Sequence, residues 1–201
     1  MNFLAHIALS GDRPLVMMGN YTGDFIKGTL TPERTQLWST DYTLGIRLHR
    51  FIDSFTDSHS VVREAKSLLN QKHPKVGGVI LDIYFDYFLA NHFSDYYKLE
   101  LAEFVETSYQ RIRQHQYLIP NAMLPMVDAM IRHNWLYNYK DVAGIQRSFD
   151  GLANRFAFLQ TLRGAENELL TNFAAYETAF HAFYPILQQE CHFFILENTL
   201  P

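Results

Sequence analysis

Cysteine is nearly absent from this chain. Cys191 stands alone among 201 residues, so no disulfide can close within it and a thiolate metal site is excluded. A lone thiol suits a reducing compartment, and we expect a cytoplasmic protein. Long apolar runs are missing as well: none approaches the roughly 18 residues a membrane span requires. The opening Met1-Asn-Phe-Leu-Ala-His6 lacks the basic start and the longer apolar stretch of a secretory signal. Positive charge is not in excess, with 17 Lys and Arg against 21 Asp and Glu for a net charge of −4. That balance argues against general nucleic-acid binding, which needs a basic footprint. There is no glycine-rich phosphate loop, no Gly-x-Ser-x-Gly elbow and no zinc-protease His-Glu-x-x-His. No repeat, low-complexity tract or Gly/Pro/Ser-rich linker divides the chain, so residues 1–201 read as one domain.

Hydrophobic residues make up 48% of the chain and charged residues 19%, the proportions of an ordinary globular core. Aromatics are plentiful, with sixteen Phe and twelve Tyr to fill gaps between elements. The apolar pattern has a helical period nearly throughout, and strand-like alternation is scarce, so the fold class is all-α. The spacing predicts helices over Phe3–Leu9, Leu15–Ile26, Tyr42–Thr56, Val76–Tyr97, Glu100–Gln114, Pro125–Asn134, Asp141–Ala157 and Glu166–Leu196. A further helix, capped by Ser58 or Ser60, ends before Lys72-His73-Pro74. Thr29–Ser39 reads as a loop, Gly28 as a helix stop, and Pro185 as a kink in the terminal helix.

Three segments concentrate chemistry. In Gly45-Ile-Arg-Leu-His49-Arg-Phe-Ile-Asp53-Ser-Phe-Thr-Asp57-Ser-His59, the residues His49, Asp53 and Asp57 follow at intervals of four and stack on one helix face. Leu44, Leu48, Phe51, Ile52 and Phe55 form the core-facing stripe, which sets His49 at its border. In Gly19-Asn20-Tyr-Thr-Gly23-Asp24-Phe25, Asn20 and Asp24 are again four apart. Asp82 and Asp86 share a face of the most apolar helix in the protein. Two carboxylates in a dry place repel each other, and each ion costs several kcal/mol to desolvate. Something positive must offset that cost: a metal ion, an arginine or a protonated histidine. Ion pairing with Arg47 or Arg50 is the structural alternative.

The recurrence of His and Asp in separate segments, with His6 in the opening helix, favours the metal. Imidazole with carboxylate suits Mn, Fe, Zn or Mg, and the excess of hard oxygen ligands tilts toward Mn or Mg over Zn. A locally basic stretch, Arg63, Lys66, Lys72 and Lys75 against the single acid Glu64, reads either as a solvated helix surface or as a face that steers an acidic partner. His73, His115, His133, His181 and His192 read as structural or solvated.

At these residues the chain resembles the acyl carrier protein phosphodiesterases. The resemblance is carried by Met1-Asn-Phe-Leu-Ala-His6, Gly19-Asn20 with Asp24-Phe25, His49-Arg50-x-Ile52-Asp53 with Thr56-Asp57, Leu81-Asp82 with Asp86-x-Phe88-Leu89, and His92. Trp135 and the stretch from Tyr176 to Phe183-Tyr184-Pro185 extend it over most of the chain. It implies an all-α, HD-domain-like phosphohydrolase that uses Mn and removes 4′-phosphopantetheine from holo-acyl carrier protein. One departure is plain: an ordinary HD signature has adjacent His and Asp, whereas Arg50 follows His49 here and Asp53 comes a turn later. Ligands of ordinary HD enzymes therefore do not transfer by position.

The reading that follows assigns His6, Asp24, His49, Asp53 and Asp86 to the metal and Asp57 to orienting a ligand imidazole. His92 or a protonated Asp82 supplies the proton for the departing serine oxygen, and Arg47 or Arg50 clamps phosphoryl oxygens. The basic stretch docks the small, acidic acyl carrier protein. Two rivals remain: an HD-type metal phosphohydrolase acting on a nucleotide or small phosphodiester, and a non-catalytic helical binding protein whose His/Asp cluster is an ion-pair network.

Overall fold

The computed structural model describes residues 1–69 and 72–199. Among them lie thirteen α-helices and no strand. In chain order these are α1 (Phe3–Ala8), α2 (Pro14–Thr22), α3 (Pro32–Thr35), α4 (Thr40–Ser58), α5 (Ser60–Ser67), α6 (Gly77–Asn91), α7 (Phe93–Tyr96), α8 (Leu101–Gln114), α9 (Leu124–Arg132), α10 (Trp135–Asn138), α11 (Val142–Arg155), α12 (Ala165–Thr171) and α13 (Phe173–Glu197). No helix among the described residues is long and apolar enough to cross a membrane.

The all-α expectation holds, and local chemistry explains where boundaries moved. Pro32, with its φ already helical, starts the one-turn α3 inside the stretch read as a loop. The second helix stops at Thr22 and tightens into a 3-10 turn over Gly23–Phe25. Gly28 takes its positive φ of 83° in the loop beyond. The apolar helix breaks at His92, and the terminal one at Asn172; neither residue has helical dihedrals. Helix α13 runs on through Pro185. The helix expected to end before Lys72 is α5, which stops at Ser67; its N-cap is His59, and neither Ser58 nor Ser60 caps it through a side-chain bond.

Two packing arrangements position the site. Helices α2 and α4 meet backbone to backbone, because glycines face each other at the crossing. A Cβ on Gly19 would lie 2.1 Å from the Tyr42 carbonyl oxygen, and one on Gly45 would lie 2.1 Å from that of Val16. Helix α6 is the buried axis, with Ile80, Tyr84, Phe85, Phe88 and Leu89 fully enclosed. Its aromatics interlock with α13: Phe85 lies 5.8 Å from Phe180 between ring centroids, and Tyr84 lies 4.9 Å from Tyr176, separations at which tilted ring pairs attract. On α4 the predicted stripe is partly right. Leu44, Leu48 and Ile52 are buried, while Phe51 and Phe55 are half-exposed and lean on Phe194 and Phe183 of α13.

Candidate metal centre

His49 projects from α4 toward the C-terminal end of α2. Its Nδ1 lies 2.9 Å from the Asn20 carbonyl oxygen. A carbonyl only accepts, so Nδ1 carries the proton and Nε2 is left with a lone pair. His6, from α1, is oriented the same way. Its Nδ1 lies 2.7 Å from the Asn20 side-chain oxygen, whose identity is fixed because Asn20 Nδ2 donates to the His6 carbonyl and to Ser10 Oγ. One asparagine thus sets the tautomer of both imidazoles. The two rings stack with centroids 4.2 Å apart, and both Nε2 atoms face the same acidic group.

That group is Asp53, one turn beyond His49. Its two oxygens lie 3.3 Å from His6 Nε2 and 3.2 Å from His49 Nε2. Asp24, swung inward by the 3-10 turn, places an oxygen 3.5 Å from His49 Nε2. Lone pairs therefore point at carboxylates, acceptor against acceptor, and the buried His49 Nε2 has no hydrogen-bond partner. His6, His49 and Asp53 bring one ligand atom each within 4.8 Å of one another. A cation resolves the standoff, and metal-bound histidines characteristically carry a second-nitrogen hydrogen bond of this kind. The donor set of two imidazoles and two carboxylates fits a divalent first-row ion.

Electrostatics agree with the geometry. Burial holds the His6 imidazole below its ordinary pKa, against the pull of Asp53, which keeps it in the neutral form a metal needs. The His49 ring facing it holds Asp24 down at about 2. Burial works against ionising Asp53, and the neighbouring imidazoles override it, so its pKa is lowered.

The other expected residues lie elsewhere. Asp86 is wholly buried, but its oxygens accept from the backbone amides of Asn2, Leu4 and Ala5 at 3.2, 2.8 and 3.3 Å. It anchors the first turn of α1, and its oxygens are spent on amides, which corrects its expected place at the metal. Burial pushes its pKa up to about 7, against those amides and the Met1 ammonium. Asp82 lies 2.6 Å from that ammonium. The positive group demanded by the apolar helix is therefore the α-amino group of Met1 with the amides behind it, and neither a metal nor an arginine. Arg50 donates to the carbonyls of Ile26 and Gly28, so it braces a loop, and it is not in the lining of the cavity described below. His92 pairs with Asp95 and Glu177, 3.2 and 3.3 Å away, in a separate cluster with His181. Asp57 is exposed on the cavity wall, and the orienting role expected of it belongs to Asn20.

Above the centre opens a cavity of about 660 Å³ lined by Asp24, Asp53, Asp57, Asp82, Lys27 and Arg155, among others. Lys27 and Arg155 were not singled out from the sequence. Lys27 is an isolated base three residues beyond Asp24, while Arg155 lies on a distant helix with no local signal. Sequence reading noted Asn20 but gave it no role, since that role depends on the fold bringing α1, α2 and α4 together.

Fold and site together define a class: a helical protein whose converging histidines and aspartates form a candidate divalent-metal centre at the floor of a cavity. Residues 1–187 match the family model described as acyl carrier protein phosphodiesterase. The chain belongs to that family. It is 31% identical over 191 residues to the acyl carrier protein phosphodiesterase of Photorhabdus laumondii, covering 94% of each chain. It is 33% identical over 186 residues to that of Escherichia coli O157:H7, covering 92% of this chain and 94% of the relative. No solved structure matches it.

Proposed function

We propose that this protein hydrolyses the phosphodiester that joins 4′-phosphopantetheine to serine of holo-acyl carrier protein, releasing apo-protein and 4′-phosphopantetheine. The observation that carries the reading is the pair of Nε2 lone pairs of His6 and His49 aimed at Asp53, with Asp24 beside them, beneath a cavity. These four residues would hold a divalent ion, Mn first and Mg, Fe or Zn as alternatives. When bound, the ion supplies Lewis acidity and lowers the pKa of water near neutrality.

This chain's own groups do the rest. Asn20 holds both imidazoles in the ligating tautomer. Lys27 and Arg155 face the cavity and attract the phosphodiester anion. Asp82 lines the same cavity, and burial raises its pKa against the opposing Met1 ammonium, the direction a proton donor to the departing serine oxygen needs. His92, outside that cavity's lining, is replaced in this role by Asp82.

The carrier protein docks on the basic stretch. Arg63 and Lys75 are exposed, and Lys66 Nζ would lie 3.4 Å from a Cβ on Gly78, whose neighbour Val79 lines the cavity. Lys72 is paired with Glu168 and contributes less. A cytoplasmic location follows from this partner. Mass spectrometry of holo-acyl carrier protein incubated with the protein and Mn tests the function: loss of the prosthetic-group mass is expected, and an intact holo-protein at stoichiometric enzyme refutes it.

A further inference from the structure

A second cavity, of about 630 Å³, lies beside the first and shares five lining residues with it: Asn2, Phe3, Met126, Leu152 and Arg155. The two adjoin along these shared residues, and Arg155 is the cation that lines both. The outer chamber is walled by Trp135, Tyr139 and Met126, and floored by one face of α11. That face carries Gly144, Arg147, Ser148, Gly151 and Arg155, spaced three and four apart. A Cβ on Gly151 would meet nothing within 4 Å, so the glycine opens the floor. Among the described residues Arg13 and Arg163 are the arginines paired with carboxylates, which leaves Arg147 and Arg155 available to an anion.

The two chambers differ in charge. The inner one carries Asp24, Asp53, Asp57 and Asp82, whereas the outer one has no carboxylate in its lining and sets Trp135, Tyr139 and Leu152 beside the polar groups of Asn138, Ser148, His133 and Arg147. Volume and lining suit a small flexible ligand with scattered hydrogen-bonding groups and exclude a protein helix. Resting on the hydrolase reading above, we infer that the outer chamber binds the pantetheine arm. The phosphate lies at Arg155, where the two chambers adjoin, and the uncharged diamide chain runs along α11 against Trp135. The carrier protein's serine then leaves from the opposite side, toward the cavity wall at Val79. A phosphate held at Arg155 has one substituent on each side, and of the two chambers only the outer one is free of carboxylates and walled by Trp135 and Tyr139.

Fluorescence tests this directly, because the chain has two tryptophans. In a Trp38→Phe background Trp135 is the only reporter. Titration with free 4′-phosphopantetheine, in buffer with the divalent ion, is expected to give a saturable change in Trp135 emission. Gly151→Leu, which enters the outer chamber, is expected to weaken that binding at least tenfold and to raise KM for holo-carrier protein. Arg155→Gln is expected to weaken binding of 4′-phosphopantetheine while leaving the weaker binding of pantetheine unchanged, and serves where Gly151→Leu loses its helical circular dichroism. No Trp135 response, or wild-type affinity and KM in both variants, overturns the arm site even where hydrolysis is normal. A saturable response that both variants weaken, in a protein that leaves holo-carrier protein intact, supports the arm site and overturns the hydrolase reading alone.

Discussion

Gly23→Ala is a one-methyl perturbation aimed at the centre. The added Cβ would lie 2.2 Å from His49 Cγ and 2.6 Å from its Cβ and Cδ2. Ordinary contact begins near 3.4 Å, so the imidazole or the 3-10 turn must retreat by about 1 Å. Retreat of the ring stretches the 2.9 Å bond to the Asn20 carbonyl that fixes its tautomer. Retreat of the turn carries Asp24 away from Nε2. Overpacking of this kind costs about 1–3 kcal/mol, and a reacting group misplaced by 1 Å costs about a hundredfold in rate. The metal-free variant is therefore expected to melt a few degrees lower, at roughly 2–4 °C per kcal/mol for a chain of this length. Its larger defect is in metal binding. Wild type at a metal concentration about a hundredfold above Kd gains ~2.7 kcal/mol, visible as a rise of several degrees in Tm. That rise is expected to shrink or vanish in Gly23→Ala, with holo-carrier protein hydrolysis down about a hundredfold. Gly151→Ala is the control for stability and metal affinity alone, since its methyl enters open space and stabilises an exposed helix by up to ~1 kcal/mol. Unchanged metal affinity in Gly23→Ala would refute the assignment of His49.

Asp53→Asn replaces the carboxylate shared by both imidazoles with an amide, and is expected to abolish the metal-induced rise in Tm while leaving helical circular dichroism intact; a retained rise removes Asp53 from the centre. His6 gives a pH signature. Burial lowers its pKa in the folded state, so below the unfolded value of 6.5 the unfolded chain takes up a proton that the folded one refuses, and stability is lost on acidification. Metal-free His6→Gln is expected to show a flatter Tm between pH 7 and 5, and an unchanged slope counts against a neutral buried His6. Reversing Arg63, Lys66 and Lys75 to Glu is expected to raise KM for the carrier protein, leave kcat within about twofold, and weaken the salt dependence of the rate; wild-type KM at low salt dismisses the docking face.

What the sequence made legible was local. His49 and Asp53 are one helical turn apart, so periodicity alone stacks them, and the structure places them 3.2 Å apart. Helix class and most boundaries follow from the 3.6-residue period, while the interruptions at His92 and Asn172 leave the apolar pattern intact and are invisible to it. Asp82 and Asp86 show the limit most clearly. Their burial correctly demanded a positive partner, but that partner is the terminal ammonium and a turn of backbone amides more than eighty residues away. Backbone groups carry no residue signature, so a search of side chains for the counter-charge settles on a metal by default. Asn20 escaped for a related reason: one amide orienting two imidazoles is a property of three helices meeting.

Asp86 acts on the centre through position. Its three amide bonds pin the start of α1, and that helix carries His6 to the metal site. Two roles for Asp86, ligand or anchor, give opposite patterns in paired variants. Asp86→Ala strands amides that lie away from water, at about 1–3 kcal/mol each. The sum is a large share of the roughly 5–15 kcal/mol that holds a domain folded. Asp86→Asn keeps the volume and one acceptor oxygen, able to serve Leu4 or the Asn2 and Ala5 pair but not all three. An anchor predicts graded loss: Tm falls most in Ala and less in Asn, and metal affinity follows Tm because His6 drifts with α1. A ligand predicts equal loss of metal in both, with the metal-free Tm of Asn unchanged or higher once a buried charge is gone. Metal-free melting curves of the two variants, compared with their metal titrations, decide between these roles. Full loss of metal binding in an Asp86→Asn protein of undiminished stability would overturn the anchor.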